Sequence, residues 1–512
     1  MALVSFVFVL LLFACSVQAR VMDAAFDLWV ESPNVKIRQE EPAPEKPRLD
    51  IRLAGARRET VAFQVALRAG VHVEGLSAEF LPLDGPRGQI HPNRGRAWVQ
   101  HYVKTHEGIL PDPLSPLKVI NLTAHQTLPL LFEIAIPEDA QAGEYRGRLR
   151  FTQKGRPIGH LSVTLAVRDF EIPVTPSLRS AVGIYYDHIP PFEQVLPGGS
   201  SHQKHKKAYY SLLLEHRLSA YHLPVDIKSG EAASYFNDPR MTSYIIPYSD
   251  DTEFLRSITG YLKEGGWLEK GMFYAVDEPV TREQYNRLAE VAQKIRSVEP
   301  EAKIVTPYHT KPDFEEEDTA VFRLLDGHTN VWCPISSFYH TELLAEKQKR
   351  GDEVWTYVCI GPGKPYTNLM IEFSSMQHRL LFWQIWKYKA DGFLYWASNY
   401  WKNNEEGTTD PWQDMATVKW INPNAHGDGS LVYPGARVRH YGPLPSLRLK
   451  LIHYALQDYE YIQMASAKAG RQKAEAVVGS LVTSWTEYSQ NPEDLEKARE
   501  QLARLITGES SD

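Results

Sequence analysis

GMFYAVDEPV, residues 271 to 280, is the stretch on which the reading of the fold turns. Gly271 to Val276 is an apolar run of strand length, and Asp277 and Glu278 fall where it stops. Pro279 lacks the amide that a central strand donates, so the strand cannot run on through it. A short buried strand that ends in polar residues is the repeating unit of a parallel α/β barrel, which gathers its functional side chains at the carboxyl ends of its strands. The same junction also reads as a plain strand-to-helix turn in which Asp277 or Glu278 caps the next helix.

Working outward, the pattern repeats. Strand-like runs occur at AVGIYY (181 to 186), SAYHLP (219 to 224), SYIIPY (243 to 248), MFYAVD (272 to 277) and KIVTPY (303 to 308). NVWCPI (330 to 335), EVWTYVC (353 to 359) and GFLYWA (392 to 397) continue the series. Amphipathic stretches of helical period lie between them, among them KKAYYSLLLEHRL (206 to 218), REQYNRLAEVAQKIRSV (282 to 298) and SMQHRLLFWQIWKYK (375 to 389). Eight strands with helices between them predict a (β/α)8 TIM-like barrel over residues 176 to 468. The third strand is the weakest, because Pro247 interrupts it.

Before the barrel, residues 20 to 175 read as β. VAFQVAL (61 to 67), LPLLFEIAI (128 to 136), GEYRGRLRF (143 to 151) and HLSVTLAV (160 to 167) are separated by turn-forming clusters, which predicts a β-sandwich. EIPVTP (171 to 176) is the hinge between the two domains. After the barrel, SLRLKLIHYALQDYEYIQMA (446 to 465) carries a helical stripe of Leu447, Leu451, Ile452, Ala455 and Tyr459 and reads as the last barrel helix. Residues 469 to 512 add further C-terminal helices.

The 512 residues are 43% hydrophobic and 23% charged, as in an ordinary globular protein too long for one core. A net charge of −7 with no basic runs argues against nucleic acid as a partner. Residues 1 to 19 form an apolar leader ending Val17-Gln18-Ala19, so a signal peptide cleaved near Ala19 and an exported, periplasmic or secreted protein are expected. A lipoprotein through Cys15 is the alternative. No later stretch is apolar and long enough to span a membrane. Only Cys333 and Cys359 follow the leader, and they read as free thiols rather than a disulfide. There is no CxxC, no HExxH and no cluster of histidines, so neither a metal nor another cofactor is expected.

Two neighbouring residues of a strand project to opposite faces, so Asp277 and Glu278 do not readily flank a sugar as two facing carboxylates. The usual retaining and inverting glycosidases hold such acids about 5–5.5 or 6.5–9.5 Å apart. An adjacent pair suits a scheme in which the substrate's own 2-acetamido oxygen attacks the anomeric carbon. One acid then steadies the acetamido nitrogen and the next protonates the leaving oxygen, which makes one protonated and one ionised acid the expected division. A distant partner such as Glu405, Asp410 or Asp428 remains the competing reading.

Eight of the twelve tryptophans lie between Trp332 and Trp420. Trp383 and Trp386 sit on a helical run and read as packing. Tyr395, Trp396, Asn399, Tyr400 and Trp401 sit at the eighth strand's end, where stacking on a pyranose is expected, and Tyr357 and Tyr366 flank the seventh. The loop from about 398 to 435 is long enough to be a binding loop.

These motifs resemble a known family. GFLYWASNYW, DPW, GDGSLVYPG and PSLRLKLIHYALQDYEYI are similar to the C-terminal signature of glycoside hydrolase family 123, and AVDEP matches its Asp-Glu pair. PEDAQAGEYRGRLRF is similar to the sandwich that precedes its barrel. The resemblance implies an exo-acting β-N-acetylgalactosaminidase with a retaining, substrate-assisted mechanism acting on a glycan or glycolipid. By motif, Asp277 would orient the acetamido group and Glu278 would be the acid and then the base, with Asp428 in the substrate site. A glycosidase for another sugar and a catalytically silent carbohydrate-binding protein are the alternatives.

Overall fold

From Phe26 onward the chain first builds two sheets. The computed structural model describes residues 26–403, 407, 408, 410–415, 418 and 421–509. The expected leader with Cys15 and Ala19, and also Glu405 and Trp420, lie outside the described residues. Among the described residues no helix is long and apolar enough to cross a membrane.

One sheet holds, in spatial order, Phe26–Glu31, Thr60–Ala69, Thr127–Ala135, Gly95–Thr105 and Gly108–Pro116, each antiparallel to its neighbour. The other is built on the long antiparallel pair Gly143–Gln153 and Arg156–Glu171, flanked by Ile51–Arg57 and Val73–Phe80. Both sheets contribute to one core. Phe63 and Phe132 stack 5.3 Å apart, Phe80 meets them edge-on at 6.2 and 5.8 Å, and Leu149, Val163 and Leu165 fill the opposite side. Burying each such side chain contributes about 1.5–3 kcal/mol.

The run LPLLFEIAI is continuous rather than alternating because its strand is covered on both faces. Leu130, Phe132 and Ile134 enter the sheet core, whereas Leu131 packs with Leu114, Leu447, Leu451 and Tyr454 on the other side. Glu133, also on that second face, accepts hydrogen bonds from Trp98 Nε1 and Tyr454 OH at 2.7 Å, with Lys450 Nζ 3.0 Å away.

The second half is a nearly closed barrel of seven parallel strands. Their order is Arg179–Val182, Gly392–Tyr395, Glu353–Tyr357, Val331–Pro334, Ile304–Tyr308, Gly271–Tyr274 and Tyr244–Ile246. The expected second strand, at 219 to 224, is the one that does not form. Residues 219 to 221 fill its place with a single bridge, Val182 to Ala220, while Ile245 N–H donates to Tyr221 O at 2.8 Å. Hydroxyl side chains stand in for the missing ladder. Ser180 Oγ accepts from Ser219 N at 2.9 Å, Ser219 Oγ accepts from Thr242 N at 2.8 Å, and Thr242 Oγ1 accepts from Ser180 N at 3.3 Å. The strand at 244 stops before Pro247, and the strand at 271 stops at Tyr274 rather than Asp277.

Helix Leu447–Ala469 is the spine that joins the parts. It is buried on nearly every side from Leu447 to Ile462, not along one stripe, because the N-terminal sheet, helix Ser375–Lys387 and the later helices Arg471–Leu481 and Pro492–Thr507 all pack on it. Trp383 and Trp386 lie in this core.

Candidate active site

Parallel strands bring their carboxyl ends to one rim, and the polar side chains that follow those ends meet there. Asp277 and Glu278 lie three and four residues past the strand Gly271–Tyr274. Neither caps the next helix: helix Arg282–Val298 is capped by Thr281, in a capping box with Gln284. The two acids are thus left available. Glu278 has φ +41°, left-handed for a residue with a Cβ and followed by proline, a strain of about 1–3 kcal/mol of the kind found at functional sites.

Each acid has its own partners. Tyr274 OH donates to Asp277 Oδ1 at 2.6 Å. Glu278 accepts from Tyr357 OH at Oε1 and faces His309 Nδ1 with Oε2 at 3.3 Å. Among the described residues neither acid pairs with a lysine or arginine. Tyr221, from the residues standing in for the missing strand, is close enough to Asp277 to feel its charge, and its buried hydroxyl has no hydrogen-bond partner. Cys333 is buried near both acids; it and Cys359 are free thiols.

The electrostatics reverse the expected division of protons. Crowding against the protein raises the Asp277 carboxyl, with the Tyr274 hydrogen bond opposing and the Glu278 charge adding to the rise. Burial also pushes Glu278 up, but the hydrogen bonds from His309 and Tyr357 outweigh it and hold Glu278 below the usual carboxylate range. His309 is correspondingly raised, chiefly by its hydrogen bond to Glu278. In the free cleft Glu278 is therefore the acid more favoured in its ionised form, and His309 is favoured in its protonated form.

A third acid lies deeper. Asp428 is 2% exposed and accepts from Trp396 Nε1 at 3.1 Å and Tyr395 OH at 3.4 Å. Burial raises its carboxyl to about 6. Gly429 next to it has φ +67°, and a Cβ there would lie 2.1 Å from the Trp396 ring, so only glycine lets the loop press on that indole. Trp396, Tyr400 and Tyr185 pack together, with ring centroids 4.9 to 6.3 Å apart.

The other expected residues are placed as follows. Asn399 is fully buried and grips Tyr185 through both backbone groups, at 2.8 and 2.9 Å, so it positions that ring. Trp401 is fully buried between Phe192 and Tyr209 and donates to Val432 O at 3.2 Å, so it presents no face to the cleft. Tyr366 lies near Tyr388, with no contact to either acid among the described residues. Asp410 is spent on the turn before Trp412, whose amide it accepts at 3.0 Å. Sequence reasoning missed Tyr185, Tyr221, Tyr274 and His309. His309 directly follows KIVTPY, and Tyr274 lies within the opening motif, so a strand-end rule applied to every strand finds both.

The family model described as "Glycoside hydrolase 123, catalytic domain" matches residues 215–465. A family 123 glycoside hydrolase from Clostridium perfringens, analysed for the details of glycolipid glycan hydrolysis, shares the fold. It superposes with a TM-score of 0.70 at 13% identity, covering 94% of this chain and 98% of that one. A family 39 glycoside hydrolase from the gut symbiont Bacteroides cellulosilyticus WH2 covers 73% of this chain and 80% of its own at 11% identity. Its TM-score of 0.31 is too low to bear on function. No curated protein matches the sequence.

Proposed function

The chain belongs to glycoside hydrolase family 123, and from that premise we propose that it is an exported, exo-acting β-N-acetylgalactosaminidase of retaining, substrate-assisted mechanism. The two facing sheets are read as a β-sandwich over 20 to 175, the barrel as a (β/α)8 unit over 176 to 468 with one strand reduced to a bridge, and 469 to 512 as appended helices. The observation that carries the function is the adjacent Asp277–Glu278 pair at the rim, each acid held by different neutral or titratable side chains rather than by a fixed cation.

The 2-acetamido oxygen of the bound sugar attacks its own anomeric carbon, and the bond to the leaving oxygen breaks. Asp277 accepts the acetamido N–H and stabilises the positive charge that develops there. Tyr274 fixes Asp277. Glu278 protonates the leaving oxygen and then takes a proton from the water that opens the cyclic intermediate. The lowered Glu278 is reconciled with the acid role by His309. Sugar binding displaces water and penalises the carboxylate, so the proton on His309 Nδ1 passes to Glu278. Trp396, Tyr400 and Tyr185 give the ring its stacking surface, while Asp428 and Tyr395, buried behind it, hold the Trp396 indole in place.

Hydrolysis of paired aryl β-glycosides, N-acetylgalactosaminide against galactoside, tests the reading. Turnover restricted to the acetamido sugar is expected. Comparable turnover of the plain galactoside removes substrate assistance and favours a second reading, a glycosidase for another sugar. Asp428, buried with its carboxyl near 6, is the acid or base for that reading.

A further inference from the structure

Behind the loop that carries Asp428, three side chains far apart in sequence converge. His106 stands on the turn between the strands Gly95–Thr105 and Gly108–Pro116, Glu372 precedes the helix Ser375–Lys387, and His426 lies two residues before Asp428. One ligand atom from each lies within 4.8 Å of the other two. His106 Nδ1 is 3.2 Å from Glu372 Oε1, and His426 Nδ1 bonds to that same oxygen. The two imidazoles stack with centroids 5.7 Å apart. Glu372 is 7% exposed, yet its second oxygen, Oε2, is buried with no hydrogen-bond partner. An unpartnered oxygen on a buried carboxylate is costly, and a cation is one way to satisfy it.

We propose that His106, Glu372 and His426 form a binding site for a divalent transition-metal ion, with Zn2+ the cation their donors suit best. Two imidazoles and one carboxylate are a recurrent zinc set, with the fourth position left to water. Tetrahedral ligands at zinc's bond lengths stand about 3.4 Å apart, close to the spacing already present between His106 and Glu372. Lys36 makes no hydrogen bond to the carboxylate: its ammonium is spent on the carbonyls of Ile371 and Phe373, the latter at 2.7 Å. A cavity of about 660 Å3 is bordered by Lys36, Glu107, Lys364 and Glu372, and His106 is exposed.

The ion would tie a turn of the N-terminal sheets to the segment that ends in Asp428, so its role is to stiffen one wall of the cleft. It lies outside the set of side chains that hold Asp277 and Glu278. No ligand spacing announces it, since His106 and Glu372 are 266 positions apart and Glu372 and His426 are 54 apart.

The test uses the full chain, stripped with a chelator, dialysed and titrated with ZnCl2 by calorimetry, with CoCl2 as a spectroscopic probe. One equivalent of Zn2+ is expected, together with visible bands of tetrahedral Co2+ that lack thiolate charge transfer. His106→Ala and Glu372→Gln should each weaken Zn2+ binding by more than about 10²-fold, beyond the loss usual for residues outside the coordination sphere. His106 is on an exposed turn, so its metal-free variant should unfold at the wild-type temperature. Absence of Zn2+ uptake by the wild type, or uptake unchanged in His106→Ala, overturns the proposal.

Discussion

At the seam between the N-terminal sheets and the helical spine, Glu59, Asp112, Glu133 and Asp458 each face an arginine or lysine. At the barrel rim, Asp277 and Glu278 face tyrosines and a histidine instead, and Asp428 accepts from Tyr395 and Trp396 while feeling the charge of Arg448. Loss of water contact pushes Glu133 and Asp458 up at the seam and Asp277, Glu278 and Asp428 up at the rim, although Asp277 is exposed at the cleft and Glu278 partly exposed. At the seam, Lys450 reverses that push for Glu133, and Arg379 and Arg499 reverse it for Asp458. At the rim, Asp277 and Asp428 stay raised. A fixed cation commits an acid to its charge, whereas neutral hydrogen-bond donors leave a proton that can move. The contrast separates acids that hold the protein together from acids that can do chemistry.

The sharpest way to break this contrast is at Glu278. Glu278→Gln should lower kcat by roughly 10²–10⁴ on substrates with poor leaving groups and far less on activated aryl glycosides, which need little protonation. Equal losses on both would place Glu278 with the structural acids. The matching change at the seam is Arg448→Met. Arg448 is fully buried, binds both oxygens of Asp112 at 2.9 Å and donates to the carbonyls of Leu369, Gly427 and Ser430. Removing it strands a buried carboxylate and should cost about 3–5 kcal/mol of stability in denaturant titrations. A loss under about 1 kcal/mol would mean that the seam is not held by its ion pairs.

Asp428 sharpens the comparison with an opposite sign. Its folded carboxyl, near 6 against 3.8 for the free group, binds more protons than the unfolded chain between those values. Stability contributed there is present at low pH and is lost as pH rises toward 6. Asp428→Asn, which keeps an oxygen for Trp396 and Tyr395, should therefore stabilise the protein at pH 7 by on the order of 2 kcal/mol and leave it nearly unchanged at pH 4. Thermal unfolding at the two pH values measures this, and destabilisation at pH 7 would contradict it. The smallest effect is expected at His309. With its proton held by Glu278, His309 should set the alkaline limb of the kcat/KM profile. His309→Gln should move that limb to lower pH with less than about 10-fold loss at the optimum; an unmoved limb would remove His309 from the proton's path.

Local features were legible and convergent ones were not. Asp277 and Glu278 announce themselves because a strand, two acids and a proline are contiguous. The seven barrel strands follow from hydrophobic period, whereas the helix caps Thr281 and Ser374 were not singled out, Asp277 or Glu278 being read as the cap of the first. The absence of the second strand was not readable, because SAYHLP has strand composition while Ser180, Ser219 and Thr242 take over its ladder. Trp401 was misjudged for a related reason: aromatic content at a strand end does not say whether a ring stacks on a sugar or fills the core. Asp112 and Glu133 are unremarkable in sequence, since Arg448 and Tyr454 reach them across 336 and 321 positions. The reversal between Asp277 and Glu278 depends on His309 and Tyr357, which only the closure of the barrel brings near.

The most direct test of the central claim, that the substrate supplies its own nucleophile beside Asp277 and Glu278, is the rate on aryl β-N-acetylgalactosaminides whose acetamido methyl carries zero to three fluorines. Each fluorine withdraws electrons from the amide oxygen without changing the leaving group. The account predicts that kcat/KM falls steeply along the series, and a flat series would contradict it.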